Sequence, residues 1–133
     1  MKAVVADTHS AVWFLSKDPQ LSQPARQAMR DAVDAAEPIY VSAISLVELA
    51  YLVEKGRLPE QKIQDLLKEI RDPASNFELV PIDLAVTQTL RQIPRTDVPD
   101  MPDRIIAATA LHLSLPLVTR DNKVRAANLT TVW

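Results

Sequence analysis

The chain has 133 residues, which is the length of one domain with a single hydrophobic core. It has no cysteine, which excludes disulfides, thiolate chemistry and cysteine-ligated zinc, and its single glycine excludes the glycine-rich loops that bind phosphates and dinucleotides. Because the net charge is −2, binding of nucleic acid would require a local basic patch or a metal site rather than a basic surface overall.

Short runs rich in β-branched or aromatic residues alternate with longer segments of helical character. The short runs predict five strands, at residues 2–6, 39–41, 77–81, 117–119 and 130–133. The longer segments predict seven helices, at about residues 10–16, 24–36, 43–55, 59–71, 84–93, 103–113 and 122–127. Strands that alternate with helices pair in parallel, with helices on both faces of the sheet. We therefore predict an α/β fold, a single domain over residues 1–133 whose central, mostly parallel five-stranded sheet is flanked by helices.

Polar residues at the predicted helix ends support these boundaries. Ser22, Ser42 and Asp83 precede helices, where a side-chain oxygen can pair with the unsatisfied backbone N–H groups of the first turn. Gly56 follows an apolar helix, and glycine commonly ends a helix at that position.

Three aspartates stand where strands end or helices begin. Asp7 directly follows the first strand, Asp121 comes shortly after the fourth, and Asp103 opens the helix between the third and fourth strands. In an open α/β sheet the carboxyl ends of the strands form one edge where ligands bind, so we predict a shared crevice beneath the proline-rich loop 94–102. Taken singly, each aspartate is also explained by stabilisation of a helix N-terminus.

Glu48 lacks that explanation. It is the only charged residue from Pro38 to Val53 and lies in the middle of a mostly apolar helix, with Ser45 one turn earlier on the same face. A lone carboxylate there is either a solvent-facing side chain or a ligand. We interpret it as a ligand, because so little other polarity surrounds it.

Carboxylates that converge repel one another and raise each other's pKa values unless a cation joins them. The four acids concerned are Asp7, Glu48, Asp103 and Asp121. Ligands that are all oxygen suit Mg²⁺ or Mn²⁺, whereas His9 and His112 are too few and too scattered for a zinc site. A carboxylate–metal site without a nucleophilic side chain indicates hydrolysis by metal-activated water, and phosphodiesters are the best-fitting substrates.

Other polar residues near these acids have two interpretations each. Four of them either orient water and the acids or act only as caps and turn formers: Thr8, Ser10, Thr119 and Asn122. Basic residues in the C-terminal third permit a patch for nucleic acid: Arg91, Arg95, Arg104, Arg120, Lys123 and Arg125. Arg104 is expected to pair with an acid such as Asp100, the interpretation we prefer, or to contact a substrate phosphate.

Four segments carry a family resemblance: residues 5–9 (VADTH) with Trp13 a turn later, then 42–49 (SAISLVEL), 100–110 (DMPDRIIAATA) and 117–121 (LVTRD). In this order and at this chain length, they resemble the PIN-domain ribonucleases, specifically the VapC toxins of type II toxin–antitoxin pairs. The resemblance implies a PIN-like nuclease domain in which the four acids named above bind Mg²⁺ or Mn²⁺, assisted by Asp100. It also implies endonucleolytic RNA cleavage, a homodimer and neutralisation by a small antitoxin protein.

Two other function classes remain open. A phosphoacceptor receiver domain also alternates strands and helices and clusters acids around Mg²⁺. Such a domain has paired acids after its first strand and a lysine late in the chain, whereas only Asp7 follows the first strand here and no lysine ends the strand at 117–119. The second alternative is a catalytically silent PIN-like module kept for dimerisation or scaffolding, against which the intact acids argue.

The sequence also gives an expectation about location. No secretory signal is apparent before the first strand, and no apolar run approaches the ~20 residues of a membrane helix. The lack of cysteine fits a reducing compartment. We expect a soluble, cytoplasmic protein without membrane contact.

Overall fold

The computed structural model describes residues 2–133 and places five strands in one sheet. The strands are β1 Val4–Ala6, β2 Ile39–Ser42, β3 Phe77–Val80, β4 Leu117–Val118 and β5 Thr131–Val132. They lie in the order β3-β2-β1-β4-β5, and every neighbouring pair is parallel. The predicted α/β sheet is therefore confirmed, and it is parallel throughout rather than mostly parallel.

Helices connect these strands along the described residues. They are α1 Thr8–Ser16, α2 Gln23–Asp34, α3 Ala43–Glu54, α4 Glu60–Arg71, α5 Leu84–Leu90, α6 Met101–Leu113 and α7 Asn122–Ala126. Each corresponds to a predicted helix, although α5 ends earlier than expected, α2 ends two residues earlier, and α1 and α6 each begin two residues earlier. None of the helices within residues 2–133 has the length and apolar character needed to cross a membrane.

Both faces of the sheet are buried, each against its own helices. Along β1, Val4 belongs to a cluster formed with α1 to α4, which includes Met29 and Leu66. Its neighbour Val5 belongs to the cluster formed with α5 to α7, which includes Ile106. Successive side chains of a strand point to opposite faces, so the central strands β1, β2 and β4 place nearly all their residues in the core, whereas the edge strands β3 and β5 are more exposed.

The strand order creates a topological switch point between β1 and β4. The chain winds from β1 outward to β2 and β3, then returns through α5 and α6 to β4 on the other side of β1. Ligands of open α/β sheets bind outside the carboxyl ends of the strands at such a point. Because receiver-like domains have the strand order 2-1-3-4-5, the receiver alternative does not match this topology.

The predicted helix ends have the expected caps. The side chains of Ser22, Ser42 and Asp83 accept hydrogen bonds from backbone N–H groups in the first turns of α2, α3 and α5. Gly56, just after α3, has a φ of 70°, a left-handed conformation that other residues adopt at an energetic cost.

Arg104 joins α6 to the end of α5 instead of pairing with an acid. Its Nε donates to the carbonyl oxygen of Ile93 at 2.8 Å, and one Nη donates to the carbonyl oxygen of Leu90 at 3.2 Å. Carbonyls at the end of a helix lack partners within it, and a guanidinium fork can satisfy two of them at once. The preferred pairing with Asp100 is therefore wrong, while a contact between the remaining N–H groups of Arg104 and a substrate phosphate stays a prediction.

Replacing Arg104 with methionine should lower the free energy of unfolding by about 1–3 kcal/mol, because two carbonyls lose charge-assisted hydrogen bonds. Denaturant unfolding measures the change, and the exposed Arg95, replaced in the same way, is the matched control. Equal midpoints for the two variants would mean that these bonds contribute nothing to stability.

Candidate metal centre

Asp7 and Asp121 lie at the carboxyl edge of the sheet, beyond the ends of the adjacent strands β1 and β4. Asp7 begins α1, where its Oδ1 accepts the backbone N–H of Ser10 at 3.0 Å. Asp121 begins α7, where its Oδ1 accepts the N–H groups of Lys123 and Val124 at 2.9 and 3.0 Å. The capping role considered for these acids is therefore real. It uses one oxygen of each carboxylate and fixes both side chains at the switch point.

Asp103 reaches the same place from the first turn of α6. The cap of this helix is Asp100, whose Oδ2 accepts the backbone N–H of Asp103 at 3.2 Å, with Pro102 fitting the first turn. This arrangement starts α6 ahead of the predicted position and leaves the half-buried Asp103 carboxylate without a capping role.

Glu48 faces the other three acids from α3. Its Oε1 accepts a hydrogen bond from the Thr8 hydroxyl at 2.5 Å, and the hydroxyls of Thr8 and Ser45 are hydrogen-bonded to each other at 2.9 Å. Thr8 and Ser45 are buried, whereas Glu48 is half-buried. The Glu48 carboxylate is thus held at the sheet edge by a hydroxyl pair.

One cavity of about 260 Å³ contains all four predicted ligands. We call it the acid cavity, and its lining residues are Asp7, Thr8, His9, Glu48, Asp100, Asp103, Ile106 and Asp121. The sequence prediction that the four acids share a crevice is thus matched by their placement, while their role as metal ligands stays a prediction.

Burial and crowding change the acid–base properties of two of these groups. Burial, followed by the negative charges of Asp100, Asp121 and Glu48, raises the pKa of Asp103 to about 7. Burial also raises the pKa of Glu48, opposed by the hydrogen bond from Thr8. A cation in the acid cavity would relieve both effects, because it would favour the charged forms of the carboxylates.

The described side chains do not form a ready-made ion cage. Within residues 2–133, no three His, Asp or Glu side chains are arranged to hold a metal ion as they stand. The helix caps of Asp7 and Asp121 use only one oxygen of each carboxylate, so the other oxygen stays available to an ion. Oxygen-only donors of this kind match the preferences of Mg²⁺ and Mn²⁺.

The supporting residues predicted from the sequence have different placements. Thr119 is buried, and its Oγ1 accepts the backbone N–H of Asp121 at 3.1 Å, which orients that acid's backbone. Ser10 donates from its hydroxyl to the carbonyl oxygen of Val118 at 3.3 Å and so ties α1 to β4. Asn122 is exposed and lines an adjoining groove formed partly by the loop before α6.

Sequence reasoning missed one grouping beside the acids. Arg120 lies with its guanidinium carbon 4.7 Å from the ring centroid of Trp13, and the His9 ring stacks on the same Trp13 at 5.3 Å. The spacing of His9 and Trp13, four residues apart on α1, and the position of Arg120 next to Asp121 were the available signals. Neither signal predicts the contact between the two segments, which depends on the pairing of β1 with β4.

A parallel α/β sheet with acids gathered at its switch point defines an α/β protein with a candidate ligand site, and comparison with known proteins identifies its family. The PIN domain family model matches residues 4–128. The chain is 33% identical over 136 aligned positions to Ribonuclease VapC22 of Mycobacterium tuberculosis, and the alignment covers the whole of both proteins. The chain therefore belongs to the PIN domain family, within its VapC branch, and the resemblance identified in the sequence is confirmed.

Solved structures support the fold. VapBC2 from Rickettsia felis, bound to a DNA fragment from its promoter, matches with a TM-score of 0.71 and 21% identity over 97% of this chain and 96% of that one. A toxin–antitoxin complex from Klebsiella pneumoniae matches with a TM-score of 0.61 and 23% identity over 98% and 96% of the two chains.

The raised pKa of Asp103 predicts that the protein, without divalent cations, loses stability as the pH rises from about 4 to 7. In this window the folded state keeps a proton that the unfolded chain releases near the ordinary value of 3.8, so deprotonation opposes folding. Because this carboxyl is only half-buried, solvent screening limits the expected loss to about 1–2 kcal/mol.

Unfolding free energies across this pH range, measured in chelator, test the assignment. The variant Asp103→Asn should lack this part of the pH dependence, whereas Asp34→Asn, which changes an exposed acid on α2, should keep it. Parallel curves for the wild type and Asp103→Asn would contradict the raised pKa.

Proposed function

We propose that this protein is a metal-dependent endoribonuclease that hydrolyses RNA phosphodiester bonds as the toxin of a toxin–antitoxin pair. The observation that carries the proposal is the gathering of four carboxylates, each from a different element, in the acid cavity. The full-length relationship to a protein named as a ribonuclease supports the reaction and substrate class. The toxin–antitoxin complexes among the structural relatives support the biological role.

Mg²⁺ or Mn²⁺ fits the acid cavity by the chemistry of its donors. Asp7, Glu48, Asp103 and Asp121 would hold the ion, with Asp100 at the rim. When bound, the ion lowers the pKa of its water and neutralises charge on the phosphoryl oxygens. The one hydroxyl group among the lining residues, that of Thr8, is buried and hydrogen-bonded to Glu48 and Ser45, so water is the attacking group we propose.

The chain's own residues prepare this site. The helix N-termini at Asp7 and Asp121 present backbone N–H groups at the switch point and favour negative charge there. Thr8 keeps the Glu48 carboxylate oriented and favours its ionised form. Asp103 is the acid most ready to exchange a proton near neutral pH, so it couples the charge state of the site to pH.

A small antitoxin is the proposed protein partner. A concave site lined by carboxylates focuses negative potential, which favours a partner that inserts an Arg or Lys side chain into the acid cavity. Titration of the co-encoded small protein at several metal concentrations tests this, because an inserted cation competes with metal. An affinity that ignores the metal concentration would mean that the partner covers a different surface.

We also propose a homodimer and a cytoplasmic location. Large apolar side chains are exposed on α3 and at the starts of α5 and α6, namely Val47, Tyr51, Leu84 and Met101. A second copy of the chain would remove these side chains from water. Sedimentation of the wild type and of Val47→Glu tests the dimer, and a monomeric wild type at micromolar concentration would contradict it.

Because the proposed substrate is cellular RNA, we expect the activity in the cytoplasm, and fractionation of expressing cells tests this location.

Chelation should abolish RNA cleavage, and Mg²⁺ or Mn²⁺ should restore it. The variant Asp7→Asn should lose at least 100-fold in activity yet keep its fold, since asparagine also caps a helix. Cleavage of single-stranded RNA by purified protein measures both effects, and Asp34→Asn is the exposed control. Undiminished cleavage in chelator, with an equally prepared Asp7→Asn sample inactive, would remove the metal from the proposal. Equal activity in both samples would indicate a contaminating nuclease and a silent PIN-like module.

Thr8→Val should shift the acidic limb of the pH–rate profile to higher pH. The hydroxyl of Thr8 lowers the pKa of Glu48, so its loss lets burial raise that pKa further and leaves less carboxylate at low pH. We expect activity to fall on the acidic side of the profile and to recover as the pH rises. Thr8→Ser keeps the hydroxyl and should retain the wild-type profile, whereas an equal loss at every pH in Thr8→Val would indicate a purely structural role.

A further inference from the structure

A side pocket of about 150 Å³ opens directly beside the acid cavity. It is lined by Asp7, His9, Trp13, Asp103, Arg120 and Asp121. His9 and three of the acids line both spaces, so the side pocket and the acid cavity are continuous. A polymeric substrate whose reacting group lies in the acid cavity would therefore meet this pocket as an adjacent subsite.

Planar groups form a stack on one side of this pocket. The rings of His9 and Trp13 are 5.3 Å apart with an interplanar angle of 22°, and Trp133 lies 6.1 Å from Trp13 in a tilted arrangement. Trp13 is buried, whereas His9 is exposed. The stack is therefore anchored in the core and ends in an imidazole ring that solvent reaches.

Arg120 supplies positive charge to the same pocket. It is exposed, and its guanidinium carbon lies 4.7 Å from the centroid of the Trp13 ring. A cation–π contact engages the face of the guanidinium and leaves its in-plane N–H groups available for an anion. Arg120 is the only Lys or Arg among the lining residues of the side pocket and the acid cavity.

We propose that the side pocket binds the nucleotide next to the scissile phosphate of an RNA strand. The base stacks on the exposed face of His9, which Trp13 supports, and the guanidinium of Arg120 binds the adjoining phosphate. This inference rests on the proposed ribonuclease function and names the part of the site that positions its substrate.

The chemistry of the pocket favours an unpaired nucleotide over a segment of protein. Proteins bind single-stranded RNA by stacking bases on aromatic, histidine or arginine planes and by pairing phosphates with basic side chains. The phosphates of an RNA strand that approaches the acids are repelled by several carboxylates. The positive charge of Arg120 offsets this repulsion at the point where the next phosphate would lie.

The test measures binding of a short single-stranded RNA to the full chain in Mg²⁺, with Asp103→Asn introduced to prevent cleavage. In that background, His9→Ala should weaken binding by roughly 5- to 100-fold, and His9→Phe, which keeps a stacking ring, should restore it. Arg120→Gln should lower the slope of log affinity against log salt by about 0.7, the value for one phosphate contact with a single strand. With Asp103 intact, His9→Ala should raise KM for RNA cleavage more than it lowers kcat.

Matched controls are His112→Ala on the far end of α6 and Arg30→Gln on α2, both exposed. Thermal unfolding verifies that each variant is folded. If His9→Ala and Arg120→Gln bind RNA like these controls while the wild type cleaves RNA, the subsite is wrong and the ribonuclease proposal stands. If the wild type neither binds nor cleaves RNA, both proposals fall. Unchanged RNA binding combined with weaker binding of the co-encoded small protein would make this pocket a protein-docking surface and overturn the inference.

Discussion

Repulsion among carboxylates is the constraint on which the organisation of the sheet edge depends. Three of the acids at the switch point are stabilised by local hydrogen bonds. Asp7 and Asp121 accept backbone N–H groups at helix N-termini, and Glu48 accepts the hydroxyl of Thr8. Asp103 has no hydrogen bond that stabilises its charged form, and burial, followed by the negative charges of Asp100, Asp121 and Glu48, raises its pKa to about 7.

The fold reduces the electrostatic cost of gathering these acids at one edge of the sheet. Parallel strands with helices on both faces direct several helix N-termini toward one edge, where their partial positive charge favours carboxylates. The strand order brings β1 and β4 side by side although they are separated by most of the chain. The buried clusters on both faces then stabilise an edge that, by itself, opposes folding.

Local sequence information was sufficient for the existence of the elements and for the prediction that the four acids lie together at one sheet edge. Caps such as Ser22 and Asp83 act within a few residues, so their signals are readable directly. The start of α6 was misplaced because Asp100 and Asp103 are both plausible near a helix N-terminus, and only the hydrogen bond between them decides. The true role of Arg104 depends on how α5 packs on α6, which no local pattern encodes.

The side pocket shows that local sequence patterns also fail to predict some functional contacts. His9, Trp13 and Arg120 are unremarkable as single residues, and their association follows only from the pairing of β1 with β4. Acids at strand ends are predictable because the ends of parallel strands meet by construction. Side chains that meet across two loops have no such rule, so these contacts had to be observed.

The most direct test of the account is a calorimetric titration of the full chain with Mn²⁺ at pH 6.5, in two buffers with different ionisation enthalpies. We expect the four acids to bind the cation together and Asp103 to be protonated beforehand. Binding should then release about one proton per ion. The variant Asp103→Asn should bind more weakly and release almost no protons. Binding of equal affinity in both proteins, with no proton released by the wild type, would contradict the account.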